Sequence, residues 1–119
     1  MRDHRQLEVW QAAKALALET YSASKSLPED ERFGLVAQMR RCSVSLVSNI
    51  AEGAGRYSQR DFLRFLDIAA GSASELMTQA EIVIDMDLAR ADEFRSVLEN
   101  ATRVKMMLAR LTKTIRRSS

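Results

Sequence analysis

Apolar residues recur along most of the chain at alternating three- and four-residue steps, the period of a helix with one buried face. The spacing predicts four helices. The first spans about 5–26, with Leu7, Trp10, Ala13, Ala17 and Tyr21 on one face, and Pro28 with the acidic residues after it ends the pattern. The second spans about 32–52. Its narrow stripe is Val36, Met39, Ser43, Leu46 and Ile50, widened by Leu35, Val44, Val47 and Ala51.

The third helix, about 59–86, has the strongest pattern. Leu63, Leu66, Ala70, Ala73, Met77, Ala80 and Ile84 form one row, and Phe62, Phe65, Ala69, Ser72, Leu76, Gln79 and Val83 form a second beside it. An apolar face two rows wide needs more than one neighbour to cover it. The fourth helix, about 93–116, repeats the device with Phe94, Val97, Ala101, Val104, Leu108, Leu111 and Ile115, and Glu99 precedes Arg103 at ion-pair spacing. Short connections make consecutive helices antiparallel, so the expected architecture is all-α: one up-down-up-down four-helix bundle covering 1–119.

Composition agrees with helices, since aromatics are 6% and there is one proline, which leaves a β-sandwich or barrel without its usual residues. Cys42 is the only cysteine, so no intrachain disulfide or multi-cysteine zinc site can form. The first ten residues are charged and lack an apolar signal core, and no run of ~18 apolar residues is present. A cytoplasmic protein without a membrane partner is expected.

The stretch SNIAEGAGR, residues 48–56, interrupts this regularity with two glycines amid Asn49, Glu52 and Arg56. Helix chemistry accounts for it: Gly53 as the left-handed residue closing the second helix, and Ser58 as N-cap of the third with Asp61 as capping-box partner. The alternative is an anion site at the third helix's N-terminus, assisted by Arg56 and Arg60, although the GxxxxGK[ST] phosphate loop is absent. Carboxylates bordering the core need partners. Glu75 is therefore expected to pair with Arg40 or Arg41, and Glu52 with Arg56 or Arg60.

No catalytic constellation emerges. Glu52 and Glu75 lie at different levels of the hairpin, the one histidine is His4 in the N-terminal tail, and Cys42 and the serines lack a base. No enzyme activity, cofactor or metal is expected. The charge distribution says more than the net +2: residues 101–119 contain six basic residues and no acidic one. Arg103, Arg110 and Arg117 repeat every seven positions, with Lys113 and Arg116 beside them. Such a stripe is either a solvated helix face or the footprint of a nucleic-acid backbone. The small residues at 69–74 and the wide apolar faces suggest a homo-oligomer.

The segments LEVWQAA (7–13), ERFGLVAQMRRCSVSLVSNIAEGAGR (31–56) and FLRFL with GSASEL in the third helix carry a resemblance. The chain resembles the bacterial four-helix-bundle family named for the protein encoded in intervening sequences of 23S ribosomal RNA, over nearly its whole length. The resemblance implies a bundle that assembles as a ring, typically a pentamer, with no enzyme activity. It also implies a relative, the accessory protein of diversity-generating retroelements, a basic barrel that binds nucleic acid and a reverse transcriptase; the present chain is only weakly basic. Two functions fit: an oligomeric scaffold binding RNA, DNA or a nucleic-acid-associated protein through its basic surface, and a protein-interaction module that binds no nucleic acid.

Overall fold

A computed structural model of the chain describes residues 2–118. The described residues form four long helices: α1 (Glu8–Ser24), α2 (Ala37–Ala54), α3 (Gln59–Asp85) and α4 (Ala91–Arg117). They pack antiparallel in chain order into a bundle 47 × 20 × 19 Å, with α3 sharing its most extensive seams with α2 and α4. This is the four-helix bundle that the periodicity predicts. Both rows of α3 are in use: Phe62, Ala69, Leu76, Gln79 and Val83 are buried on one side, and Leu66, Ala73 and Ala80 on the other.

The α1 stripe differs from expectation. Val9, Ala13, Leu16, Thr20 and Ala23 are buried, while Leu7, Trp10 and Ala17 are half-buried and Tyr21 is exposed. The helix is rotated because Thr20 and Ser24 occupy core positions. Their hydroxyls are satisfied on their own helix, Thr20 Oγ1 donating to Leu16 O at 2.8 Å and Ser24 Oγ to Tyr21 O at 3.0 Å.

Three connections depart from simple helix ends. His4–Gln6 forms a 3-10 turn before α1, and His4 packs edge-on against the Trp10 ring at 4.9 Å rather than standing in solvent. Between α1 and α2, a 3-10 turn (Glu29–Glu31) leads into a π turn (Arg32–Val36), so α2 begins five residues later than its stripe suggests. After α3, Asp87 takes the left-handed conformation at φ 53°. Asp87 N then donates to Ile84 O, and Leu88 N to Val83 O, the paired bonds that close a helix around a left-handed residue. Aspartate tolerates that conformation better than most side chains.

Gly53 does not do this, contrary to expectation. Glycine φ is nowhere positive among the described residues, α2 continues to Ala54, and Gly55 caps it at φ −80°. Gly53 is buried because α3 passes directly over it: a Cβ there would lie 2.7 Å from Phe65 Cβ and 3.1 Å from the Phe62 ring. The glycine permits close helix approach instead of ending a helix. Ser58 does sit at the N-cap of α3, its Oγ accepting from Asp61 N at 3.1 Å.

The expected Glu75 ion pair is absent. Arg40 turns to the α1 side, its Nε donating to Ser24 Oγ at 2.9 Å and its Nη2 to Tyr21 O at 3.3 Å. Arg41 and Glu75 line one cleft between α2 and α3 but do not approach within ion-pair distance among the described residues. Both are exposed, so water already solvates each charge and no partner is required. Cys42 lines the same cleft. Its Sγ donates to Ser72 O at 2.9 Å, and burial, then the nearby Glu75 carboxylate, pushes its pKa up to about 12.

Two outcomes follow from this packing. Gly53→Ala gains helix propensity of about 1 kcal/mol, yet overpacks the α2–α3 contact at a cost of about 1–3 kcal/mol. Urea unfolding of that variant therefore shows a net loss of up to about 2 kcal/mol; a raised midpoint contradicts the close approach. At pH 8 the native Cys42 thiol reacts with a disulfide reagent at least about tenfold slower than the unfolded chain, because the thiolate is the nucleophile. Glu75→Gln speeds the native reaction by removing the repelling carboxylate; equal native and unfolded rates contradict the buried, protonated thiol.

Candidate nucleic-acid interface

Antiparallel packing sorts the charges along the bundle axis. One end, where α1 and α3 begin and α2 and α4 finish, gathers Arg2, Arg5, Arg56, Arg60 and Arg64 with the α4 cations. The other end holds Glu29, Asp30, Glu31, Asp85, Asp87, Asp92 and Glu93, of which Glu29, Glu93 and Asp92 are paired with Arg32, Arg90 and Arg95. Each end also carries opposite charges, Asp3, Glu52 and Asp61 at the first and Arg32, Arg90 and Arg95 at the second, so the small net charge conceals an excess of cations at one end and of acids at the other. Arg116 and Arg117 also lie in the last turn of α4, where a cation complements the helix dipole.

The basic residues of α4 do not form one surface. Arg103 lines a groove between α1 and α4 together with Glu19, and Arg110 lines another on that flank together with Glu8. Glu19 is held in place there, accepting from Ser96 Oγ and from Asn100 Nδ2 at 2.9 Å. Arg103 thus faces an acid from α1, and the described residues show no Glu99–Arg103 ion pair. Lys113, Arg116 and Arg117 face the opposite flank. With Lys105 they rim a groove of about 580 Å³ between α3 and α4, in which Asp67 is the single acidic residue among the described residues.

The floor of that groove is Leu63, Leu66, Ala70, Leu108 and Ala109, and no aromatic side chain among the described residues lines it. The arrangement offers cations beside apolar surface without a stacking platform, which suits a phosphate backbone or an acidic amphipathic segment better than an unstacked base. Sequence reasoning named three of the four cations and missed the role of Lys105. The missing signal was helix phase: Lys105, Ala109, Thr112 and Arg116 recur at three- and four-residue steps on the α3 side.

The SNIAEGAGR connection lies at the same basic end but is internally engaged. Arg56 Nη2 pairs with Glu52 Oε1 at 2.7 Å, and its guanidinium lies 4.9 Å from the Phe65 ring centre. Arg64 covers Phe65 at 4.7 Å, and Arg2 covers Phe62 at 4.5 Å. The Glu52–Arg56 pair joins neighbouring turns of one segment rather than two helices, and both partners are exposed, so it contributes about 0.3–0.5 kcal/mol. Arg60 is exposed and does not pair with Glu52. Asn49 Nδ2 folds back onto Ser45 O at 2.8 Å. Asp61 already places a carboxylate in the first turn of α3, against an added anion.

Among the described residues no group of three or more His, Cys, Asp or Glu side chains could hold a metal ion, and no helix is long and apolar enough to cross a membrane. Comparison with curated proteins returns no match. Among solved structures, the chain is similar to a protein of unknown function from the S23 ribosomal protein family of Bacteroides thetaiotaomicron, a crystal structure at 1.70 Å resolution. The TM-score is 0.80 at 24% identity, over 88% of this chain and 95% of that one, which establishes a shared fold. The family described as 23S rRNA-intervening sequence protein matches residues 5–110, and the chain belongs to that family.

Proposed function

We propose that the chain is a non-enzymatic helical scaffold that associates with copies of itself and binds the phosphate backbone of RNA or DNA through the α3–α4 groove. The observation that carries this reading is the gathering of Lys105, Lys113, Arg116 and Arg117 on one groove, with Asp67 as the single acidic side chain among the described residues. These cations, spread over a little more than three turns of α4, can contact phosphates, and their affinity derives from counterion release. The non-enzymatic part is supported by the protonated Cys42 thiol and by His4, which is engaged with Trp10 at the base of α1.

The apolar groove floor favours a second reading, a protein-interaction module whose partner presents an acidic amphipathic helix. Salt dependence separates the two. In the triple variant Lys105→Ala, Lys113→Ala, Arg117→Ala, binding of labelled duplex RNA or DNA weakens, and the slope of log K against log salt falls by about 3. The double variant Arg103→Ala, Arg110→Ala, on the flank shared with Glu8 and Glu19, changes the slope less. An unchanged slope in the triple variant, or no wild-type binding at low salt, removes the nucleic-acid reading.

A further inference from the structure

Trp10, Tyr21, Phe33, Phe62 and Phe65 each have a lysine or arginine over the ring, within 5.4 Å of its centre. Phe94 is sealed in the core. Tyr57 has neither protection. It is 87% exposed, and among the described residues no cation, second ring or hydrogen-bond partner meets its side chain. A ring so placed adds nothing to the core and leaves its apolar faces in water.

The residues around Tyr57 hold its backbone without covering its ring. Arg56 is taken by Glu52 and Phe65, and Ser58 caps α3. Gly55 N donates to Ala51 O at 3.2 Å, Arg56 N to Gly53 O at 3.1 Å, and Phe62 N to Ser58 O at 3.1 Å. Tyr57 thus stands on a connection fixed on both sides, so that little ordering of the backbone is left for a binding step.

This connection lies at the end of the bundle where the basic groove finishes. Helices α3 and α4 are each 27 residues long and run antiparallel, which brings Arg116 and Arg117 level with the first turn of α3. Arg60 in that turn is exposed and without a partner among the described residues. Tyr57 comes just before the turn. A strand whose phosphates follow Lys105, Lys113 and Arg117 therefore leaves the groove at the end that carries Arg60 and the uncovered ring.

We propose that Tyr57 is a stacking platform for an unpaired base, so that the chain binds the junction at which a nucleic-acid duplex gives way to a single strand. The duplex phosphates lie on the groove cations. The first unpaired base turns out of the duplex stack and lays one face on the Tyr57 ring, with its phosphate toward Arg60. Every base has a π face, so this contact selects a strand end and not a sequence. It rests on the groove reading of the proposed function and adds the form of nucleic acid that is preferred.

Anisotropy titrations at low salt test the platform with labelled RNA and DNA duplexes, either blunt or carrying a short single-stranded overhang. The wild type binds the overhang form more tightly. Tyr57→Ala alters an exposed position, so circular dichroism stays native while overhang affinity falls about 5- to 100-fold. Blunt-duplex affinity and its salt slope stay unchanged, and Tyr57→Trp keeps the overhang preference. An abasic first overhang position, which retains its phosphate, weakens wild-type binding to the same degree and adds nothing to Tyr57→Ala. An overhang preference that survives Tyr57→Ala, or an abasic site without effect, overturns the platform and leaves the groove reading standing. Overhang binding that needs Tyr57 but ignores the triple variant Lys105→Ala, Lys113→Ala, Arg117→Ala keeps the platform and removes the groove. Absence of binding to every duplex overturns both.

Discussion

The approach of α3 to α2 at Gly53 is the constraint on which the rest of the bundle depends. With no side chain at that position, Phe62 and Phe65 lie directly against the α2 backbone, and the connection between the helices can stay short. The same two rings are covered from outside by Arg2, Arg56 and Arg64, which ties the N-terminal residues and the start of α3 to one place. Arg2 N also donates to Ala54 O at 2.8 Å, joining the N-terminal segment to the end of α2. A helix packed this closely on one side still presents its second apolar row to α4, so α3 is the common wall of both halves. The first helix buries Val9, Ala13, Leu16 and Ala23 in the same core, and polar contacts add to this at its flanks, Arg40 to Tyr21 and Ser24, and Glu19 to Ser96 and Asn100.

How legible these features were depended on whether hydropathy or geometry decided them. The double row of α3 and the stripe of α4 could be read directly, because their buried positions are apolar and their spacing is regular. The α1 face could not, since Thr20 and Ser24 are core residues whose hydroxyls are satisfied locally and thus carry no hydropathy signal. Gly53 was legible as a necessary glycine but not in its role: a left-handed cap and a helix crossing require the same residue type. The left-handed cap of α3 fell to Asp87, a residue that does not announce it.

Charges were harder still. The expectation that Glu75 would pair assumed a carboxylate at the core border, and its exposure removes the reason for a partner. The seven-residue repeat of Arg103, Arg110 and Arg117 suggested one stripe. A helix of 3.6 residues per turn drifts about 20° per heptad, so Arg117 comes round to the α3 flank while Arg103 and Arg110 remain toward α1. Which acids face each cation is a property of the neighbouring helices. Glu8 and Glu19 offset one flank, and Asp67 only slightly offsets the other.

The hairpin segment and the basic surface are thus close together but have separate roles. SNIAEGAGR is occupied by its own contacts and supports the crossing, while the α3–α4 groove gathers four cations beside Asp67 on an apolar floor. Amide chemical-shift mapping with a short RNA duplex at low salt tests that division most directly. The account predicts perturbations concentrated in residues 63–70 and 105–117, with residues 48–56 unchanged. Perturbations centred on 48–56, or none anywhere, would contradict it.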